Sequence, residues 1–443
     1  MRIVIIGAGE VGSTTAESLA DEHEVVVVDR DSDRVESLTY ELDVLPIEGD
    51  AAEMETLEDA EVGGADLLIA STDDDETNII ACGIAKVCGD VFTIARTKSP
   101  KYLRPWERGK RAFGVDFMVC TDLLAAKAIV GVTGLPTAQD VDTFADGLVQ
   151  MTEFEIPVDS PVADQTVAEA DRFDSLTFAG ILRDGAVIIP RGETVLRTGD
   201  DVIAIGSHES MRGFSTAIAP EQGGPESVVI VGGGQIGYQT ARLLEGSGFS
   251  PRLIERDDER ARWLAEQLPK TTVINGDATD QDLLAQENAG DADVLIAALD
   301  TDQQNLLVTL LASRLGAERA IAVVESVDFV DLFETVGVDV AVSPRNVTAE
   351  EITRFTRARR AENVAIIEND RAEVLEFEVG SDSVLVDRTI RDAAGDIPQG
   401  AVIGAIAREG DHITPRGDTI VRGGDHVIVF AGRSAVAEVT SRM

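Results

Sequence analysis

The chain has 443 residues, too many for one hydrophobic core, and 44% are hydrophobic, the usual share for a globular protein. Against 81 Asp and Glu stand 38 Lys and Arg, a formal net charge of -43 that disfavours non-specific nucleic-acid binding. No apolar run reaches the roughly 18 residues that cross a bilayer, and Cys82, Cys88 and Cys120 have neither metal spacing nor an even count for disulfides.

The acids are spread along the chain, and lysine is confined to Lys86, Lys98, Lys101, Lys110, Lys127 and Lys270. Such a surface suits a cytoplasm at molar salt, where the Debye length falls to about 3 Å and self-repulsion is screened. A salt-in halophile is therefore expected. Met1-Arg2-Ile3 leads straight into a strand with no signal peptide, so a cytoplasmic location is expected, with any membrane association made through a partner.

In chain order, strands are predicted over 2–6, 24–28, 44–47, 66–70, 91–96 and 117–119, with helices over 11–20, 33–42 and 76–87 between them. The valine run at 25–28 fits a parallel strand buried on both faces. Strands alternating with helices predict a doubly wound parallel sheet with right-handed crossovers. An apolar helix over 121–130 follows the last strand without a returning strand, and is free to pack on another copy. From 148 to 205 the texture changes: short strands over 148–156, 178–183, 186–189 and 201–205 alternate with turns at Asp184-Gly185, Arg191-Gly192 and Thr198-Gly199-Asp200. A small β-rich domain with one helix is expected there. A polar stretch, 219–226, leads into the second half.

The second half repeats the first. Ile3-Val4-Ile5-Ile6-Gly7-Ala8-Gly9-Glu10-Val11-Gly12 is matched by Val228-Val229-Ile230-Val231-Gly232-Gly233-Gly234-Gln235-Ile236-Gly237. Gly276-Asp277-Ala278 answers Gly49-Asp50-Ala51, Asn305 answers Asn78, and Gly337-Val338-Asp339 answers Gly114-Val115-Asp116. Pro415-Arg416-Gly417-Asp418-Thr419 with Gly424-Asp425 answers Pro190-Arg191-Gly192-Glu193-Thr194 with Gly199-Asp200. This is duplicated architecture. The expected fold class is α/β: two Rossmann domains, 1–132 and 220–358, each followed by a small α+β domain, 133–219 and 359–443.

Both glycine fingerprints lie between a strand and a helix, the context that makes G-x-G-x-x-G informative. Gly7 allows the tight turn, Gly9 the approach of a pyrophosphate, and Gly12 close helix packing, while the helix N-terminus offers free N–H groups to phosphate. Asp29 ends the second strand, where a carboxylate accepts both ribose hydroxyls and repels a 2′-phosphate, so NAD(H) is favoured over NADP(H). Gly232, Gly234, Gly237 and Glu255 hold the same places in the second copy. Asp50 and Asp277 follow the third strands at the adenine edge, and are equally readable as surface loop acids. Thr72 and Asp73 follow the fourth strand, where Asp73 is either a rim residue or a helix cap; Asp300 is its match. Arg96 ends the fifth strand, placed to meet a phosphate. The second copy has Val323 there and lacks that charge.

Catalytic groups are missing. His23, His208, His412 and His426 lie outside any segment expected to face a nicotinamide and read as surface residues, no Tyr-x-x-x-Lys dyad occurs, and no cluster has metal spacing. Hydride transfer needs a proton donor near its substrate. A sensor is therefore favoured over an NAD-dependent oxidoreductase or epimerase with tandem cofactor domains. A redox-sensing transcription factor is disfavoured, lacking a helix-turn-helix and a basic face.

These residues, together with the Thr-Asp-Asp-Asp-Glu-Thr-Asn run at 72–78, resemble the TrkA family of potassium uptake regulators, which alternates a Rossmann (RCK) domain and a small C-terminal domain twice per chain. The resemblance implies a non-enzymatic cytoplasmic ring, commonly a homotetramer, bound beneath a membrane potassium channel or transporter of the Trk/Ktr class, without nucleic acid and without inserting into the membrane itself. It implies NAD(H) binding, with ATP or ADP as further regulatory ligands. The dinucleotide contacts it implies are Gly7, Ala8, Gly9, Glu10, Val11, Asp29, Thr72, Asp73 and Arg96, then Gly232, Gly233, Gly234, Gln235, Ile236 and Glu255. On this view the helices at 121–130 and 344–357 pair copies and carry a ligand-driven change of shape.

Overall fold

The structure is a computed structural model that describes residues 1–109, 112–135, 137–220, 225–357, 363–367, 371–380 and 383–442. Positions 221–224 of the expected linker and the expected domain boundary at 358/359 lie outside the described residues. The repeats are grouped by kind. Met1–Val130 with Glu226–Thr353 forms one compact unit, and Gly131–Pro225 with Arg354–Met443 forms another. The chain leaves the first unit inside the helices Thr121–Thr133 and Pro344–Arg357.

The first unit holds two six-stranded parallel sheets. One runs Leu45–Glu48, Glu24–Asp29, Arg2–Ile6, Leu67–Ala70, Phe92–Thr97, Phe117–Cys120. The other runs Thr272–Asn275, Arg252–Glu255, Val228–Val231, Val294–Ala297, Ala320–Val323, Val340–Val342. Both are doubly wound: the strand order reverses beside the first strand of each, so neighbouring crossovers depart to opposite faces and open a crevice at the carboxyl edge. Val25 to Val28 are at most 2% exposed, as a strand covered on both faces requires. The acidic composition is used locally to start helices. Asp31 accepts from Asp33 N and Arg34 N, Asp74 from Thr77 N, and Asp257 from Arg260 N. Each satisfies an otherwise orphaned N–H and places negative charge at the positive end of the helix dipole. The cap of the helix Asp75–Cys88 is thus Asp74, which leaves Asp73 facing the crevice.

The second unit holds two five-stranded antiparallel sheets. The first includes an edge strand, Ala138–Phe144, that the sequence pattern did not predict, because Asp140 and Asp142 interrupt its apolar alternation. Asp142 is instead bound by Arg354 at 3.0 Å. Two helices, Val167–Ala170 and His208–Ile218, stand where one was expected. His208–Ile218 covers one face of its sheet through Phe214, which makes edge contacts with Phe154 and Phe178 at 5.3 and 5.0 Å between centroids. The opposite faces of the two sheets share a core of Phe144, Met151, Leu182 and Ile205 from one and Ile367, Val374, Ile428 and Phe430 from the other. The contact is reciprocal. A Cβ on Gly180 would fall 2.4 Å from the Phe430 ring, and one on Gly404 would fall 2.5 Å from Ile205. Two-sided burial explains why Val149–Glu155 is buried at every position but the last.

The repeated Gly-Asp endings are structural. Asp200 accepts a two-pronged bond from Arg183 at 2.6 Å and one from Arg197 N at 2.7 Å. Asp425 does the same with Arg408 at 2.7 Å and Arg422 N at 2.7 Å. Such a fork pins the hairpin to its neighbouring strand.

Candidate functional site

The crevice of the first Rossmann domain encloses about 840 Å³ and is walled by the glycine turn, Asp29, Asp50, Thr72, Asp73, Arg96 and Arg345. Gly7 adopts φ +101°, and a Cβ at Gly12 would lie 1.8 Å from Gly7 O, so neither position admits a side chain. The Cβ direction of Gly9 is open, with Arg34 Nη1 nearest at 3.8 Å. The helix Glu10–Ala20 begins at Gly9 without a side-chain cap, so its first N–H groups are presented to the crevice.

Asp29 is held rigidly. Its Oδ2 accepts from Ala8 N at 2.6 Å and its Oδ1 from Asp31 N at 2.9 Å, leaving further lone pairs toward the space a ribose would take. Asp50 lines the crevice while its Oδ1 accepts from Ala52 N at 2.9 Å. Thr72 donates its hydroxyl to Asn78 Oδ1 at 2.7 Å, and so is engaged within the protein.

Arg96 is the deepest charged group, 3% exposed. Its Nε donates to Thr121 Oγ1 at 3.1 Å, and its Nη1 to Ser71 O, Thr72 O and Asp73 Oδ1, each at 3.2 Å. Its Nη2 is buried and finds no acceptor among the described residues. A guanidinium nitrogen without a partner is costly, and an anion in the crevice would relieve that cost. Partial burial pushes the Asp73 carboxyl up, but Arg96, Lys98 and Arg345 outweigh it and hold Asp73 below the usual carboxylate range.

In the second domain the glycine turn is repeated: Gly232 has φ +100°, a Cβ on Gly237 would lie 1.9 Å from Gly232 O, and Gly234 is open. Gly233 N donates to Glu255 Oε2 at 2.8 Å, as Ala8 N does to Asp29. Asp277 is bound by Thr279 N at 2.9 Å, and Asp300 projects into solvent near Arg256 at 3.8 Å. Gln235 and Ile236 open the helix Gln235–Gly246. The surroundings differ from the first copy. Arg260 stacks 4.3 Å over Trp263 and donates to Gly233 O at 2.8 Å, across the mouth of the turn. Its counterpart Arg34 pairs with its own cap, Asp31, at 3.5 Å.

Sequence reasoning missed three residues. Asn78 ties the ends of two strands, donating to Thr72 O and Arg96 O at 2.9 Å, and Asn305 does the same with Leu299 O at 3.1 Å and Val323 O at 2.8 Å. The matched asparagines were the available signal. Arg345 reaches the first crevice from the second domain and pairs with Glu10 at 2.7 Å; no local pattern announces it. Of the histidines expected at the surface, His412 is half-buried with both ring nitrogens lacking a partner among the described residues, and His426 lies 2.8 Å from Glu376.

Two doubly wound parallel sheets, each with a glycine-turn crevice, and a pair of small antiparallel domains define a tandem Rossmann-fold protein. The TrkA-N domain model matches residues 3–121 and 228–344, and the TrkA-C domain model matches 151–218 and 374–443. The chain belongs to the TrkA family. It is 36% identical over 447 residues to Trk system potassium uptake protein TrkA homolog 1 of Methanosarcina mazei, covering 99% of each chain. It is 39% identical over 432 residues to the TrkA homolog of Archaeoglobus fulgidus, covering 97% of each. Against Trk system potassium uptake protein TrkA of Halomonas elongata the identity is 34%, over 97% of this chain and 95% of that one. Among solved structures, the GsuK RCK domain superposes with a TM-score of 0.63 at 21% identity, over 100% of this chain and 95% of that one. The GsuK channel bound to NAD gives 0.62 at 22%, over 100% and 78%. These two likenesses show the fold. Among the described residues no helix is long and apolar enough to cross a membrane, and no group of His, Cys, Asp and Glu is arranged to hold a metal.

Proposed function

We propose that this protein is the cytoplasmic regulatory subunit of a membrane potassium uptake system of the Trk/Ktr class and that it reads adenine nucleotides, NAD(H) first and ATP or ADP beside it. The observation that carries the reading is Arg96: a buried guanidinium at a glycine-turn crevice, with one nitrogen lacking an acceptor among the described residues. Family membership supports the potassium link, and the NAD named with the GsuK channel supports the choice of nucleotide. In this reading Gly7, Ala8, Gly9, Glu10, Val11 and Gly12 cradle the pyrophosphate with their backbone, Asp29 takes the ribose hydroxyls, and Arg96 takes phosphate charge. Asp50, Thr72 and Asp73 form the rim.

The second crevice, with Gly232, Gly233, Gly234, Gln235, Ile236, Gly237 and Glu255, and with Asp277 and Asp300 at its rim, binds more weakly. It lacks the Arg96 charge, and Arg260 must move from its turn. The residues do regulatory work rather than catalysis: ligand binding favours one shape of a ring, here a homotetramer, by binding its two shapes unequally. The working lobes are 1–132, 133–219, 220–358 and 359–443. The acidic surface is that of a halophile's protein. The test is potassium flux through the reconstituted uptake system with the purified subunit in molar KCl. NADH or ATP at saturation changes the flux if the reading holds, and unchanged flux with both refutes it.

A further inference from the structure

We propose that Arg345, contributed by the second Rossmann domain, binds the phosphate of a nucleotide held in the first domain's crevice, exchanging Glu10 for it. The inference rests on the reading of that crevice as a nucleotide site. Arg345 lies in the first turn of the helix Pro344–Arg357, at the carboxyl edge of the second sheet, yet its side chain lines the first crevice. Its Nη1 is 2.7 Å from Glu10 Oε2 and its Nε 3.6 Å from Glu325 Oε2. Glu10 is the first residue of the helix whose N-terminus faces the crevice, so its carboxylate stands where phosphate charge would arrive. A phosphate offers the guanidinium fork more charge and more acceptors than one half-exposed carboxylate, and it repels Glu10.

A second connection reaches the same helix. Arg96 donates to Thr121 Oγ1, and Thr121 Oγ1 lies 3.1 Å from Thr348 Oγ1, one turn beyond Arg345. An anion in the first crevice thus meets two arginines that each hold the helix Pro344–Arg357, one by an ion pair and one through a hydroxyl pair. Exchanging Glu10 for phosphate removes an ion pair between the two Rossmann domains only when the crevice is filled. That is the unequal contact a ligand-driven shift requires.

The repeat shows that the device is one-directional. The counterpart of Glu10 in the second copy is Gln235, and the counterpart of Arg345 in the first copy is Asp122. The reciprocal pair would be Asp122 with Gln235, which cannot read an anion. The first site therefore signals into the second domain without a matching return.

The experiment is calorimetric titration of the full chain in molar KCl with NADH, ATP and adenosine. Arg345→Gln is expected to weaken NADH or ATP about 10-fold while leaving adenosine unchanged, the loss of one charge-assisted phosphate contact. A loss confined to ATP assigns Arg345 to a terminal phosphate, and one confined to NADH assigns it to the pyrophosphate. Glu10→Gln is expected to tighten the phosphate ligand about 3- to 10-fold by removing the competitor, and the gain disappears in the double variant. Should Arg345→Gln not fold, Arg345→Lys keeps the charge without the fork, and a smaller loss with NADH and none with adenosine is expected. Equal weakening of adenosine overturns the inference, since it marks a structural contact, and so does unchanged binding of both phosphate ligands. Wild-type protein that takes up no adenine nucleotide overturns the nucleotide reading itself together with this inference.

Discussion

Asp122 provides a test of the interface between the Rossmann domains that needs no ligand. Burial at the start of the helix Thr121–Thr133, with the Glu325 carboxylate of the other repeat adding to it, pushes this carboxyl from 3.8 up to about 6. Its folded pKa is above its unfolded one. Its contribution to stability is therefore fully present below pH 4 and lost as the pH rises through 6. The rise corresponds to about 3 kcal/mol at pH 8 as an upper bound, and partial solvent access sets the lower bound at about 1 kcal/mol. Asp122→Asn keeps the shape and removes the charge. The assay is denaturant unfolding in molar KCl, followed by tryptophan emission. Both tryptophans, Trp106 and Trp263, lie in the Rossmann unit, so the signal reports on that unit alone. High salt screens the many surface acids but not a buried pair. The variant is expected to be more stable than wild type at pH 8 by about 1–3 kcal/mol, with the advantage fading through pH 6 and gone near pH 4. A pH-independent difference, or a variant less stable at pH 8, refutes the reasoning.

Other outcomes follow from the same physics. Gly12→Ala drives a methyl into Gly7 O, so the helix must move off the glycine turn; calorimetric titration is expected to show nucleotide uptake at the first crevice abolished, and thermal unfolding a less stable Rossmann unit. Phe430→Ala empties the shared core of the small domains, where Gly180 offers no side chain to fill the space; a loss of about 3–5 kcal/mol is expected in thermal unfolding. Asp425→Asn breaks the fork to Arg408 and is expected to cost about 2–4 kcal/mol, less than a fully buried pair because Arg408 reaches solvent. Burial raises the Asp425 carboxyl, but Arg408 and Arg422 outweigh it and hold it below the ordinary range. The stability it adds is present at neutral pH and lost as the pH falls through its lowered value, so wild type and variant are expected to converge in acid.

The sequence by itself determined what depends on neighbours along the chain. Glycine turns between strand and helix, an acid at the end of the next strand, and a valine run long enough for one buried strand each follow from backbone sterics and local periodicity, and the duplication makes each readable twice. It also carried the asymmetry between Arg96 and Val323. Only the tertiary structure decided how distant charges pair. The strand Ala138–Phe144 is invisible to apolar alternation because two acids interrupt it, and one of them, Asp142, has its partner, Arg354, far along the chain. The Gly-Asp endings read as a motif, yet their meaning lies in a fork to Arg183 or Arg408 across a hairpin. Arg345 lies at the start of a helix in one repeat and lines the crevice of the other; an ion pair carries no periodicity, and nothing near either residue in the chain names its partner.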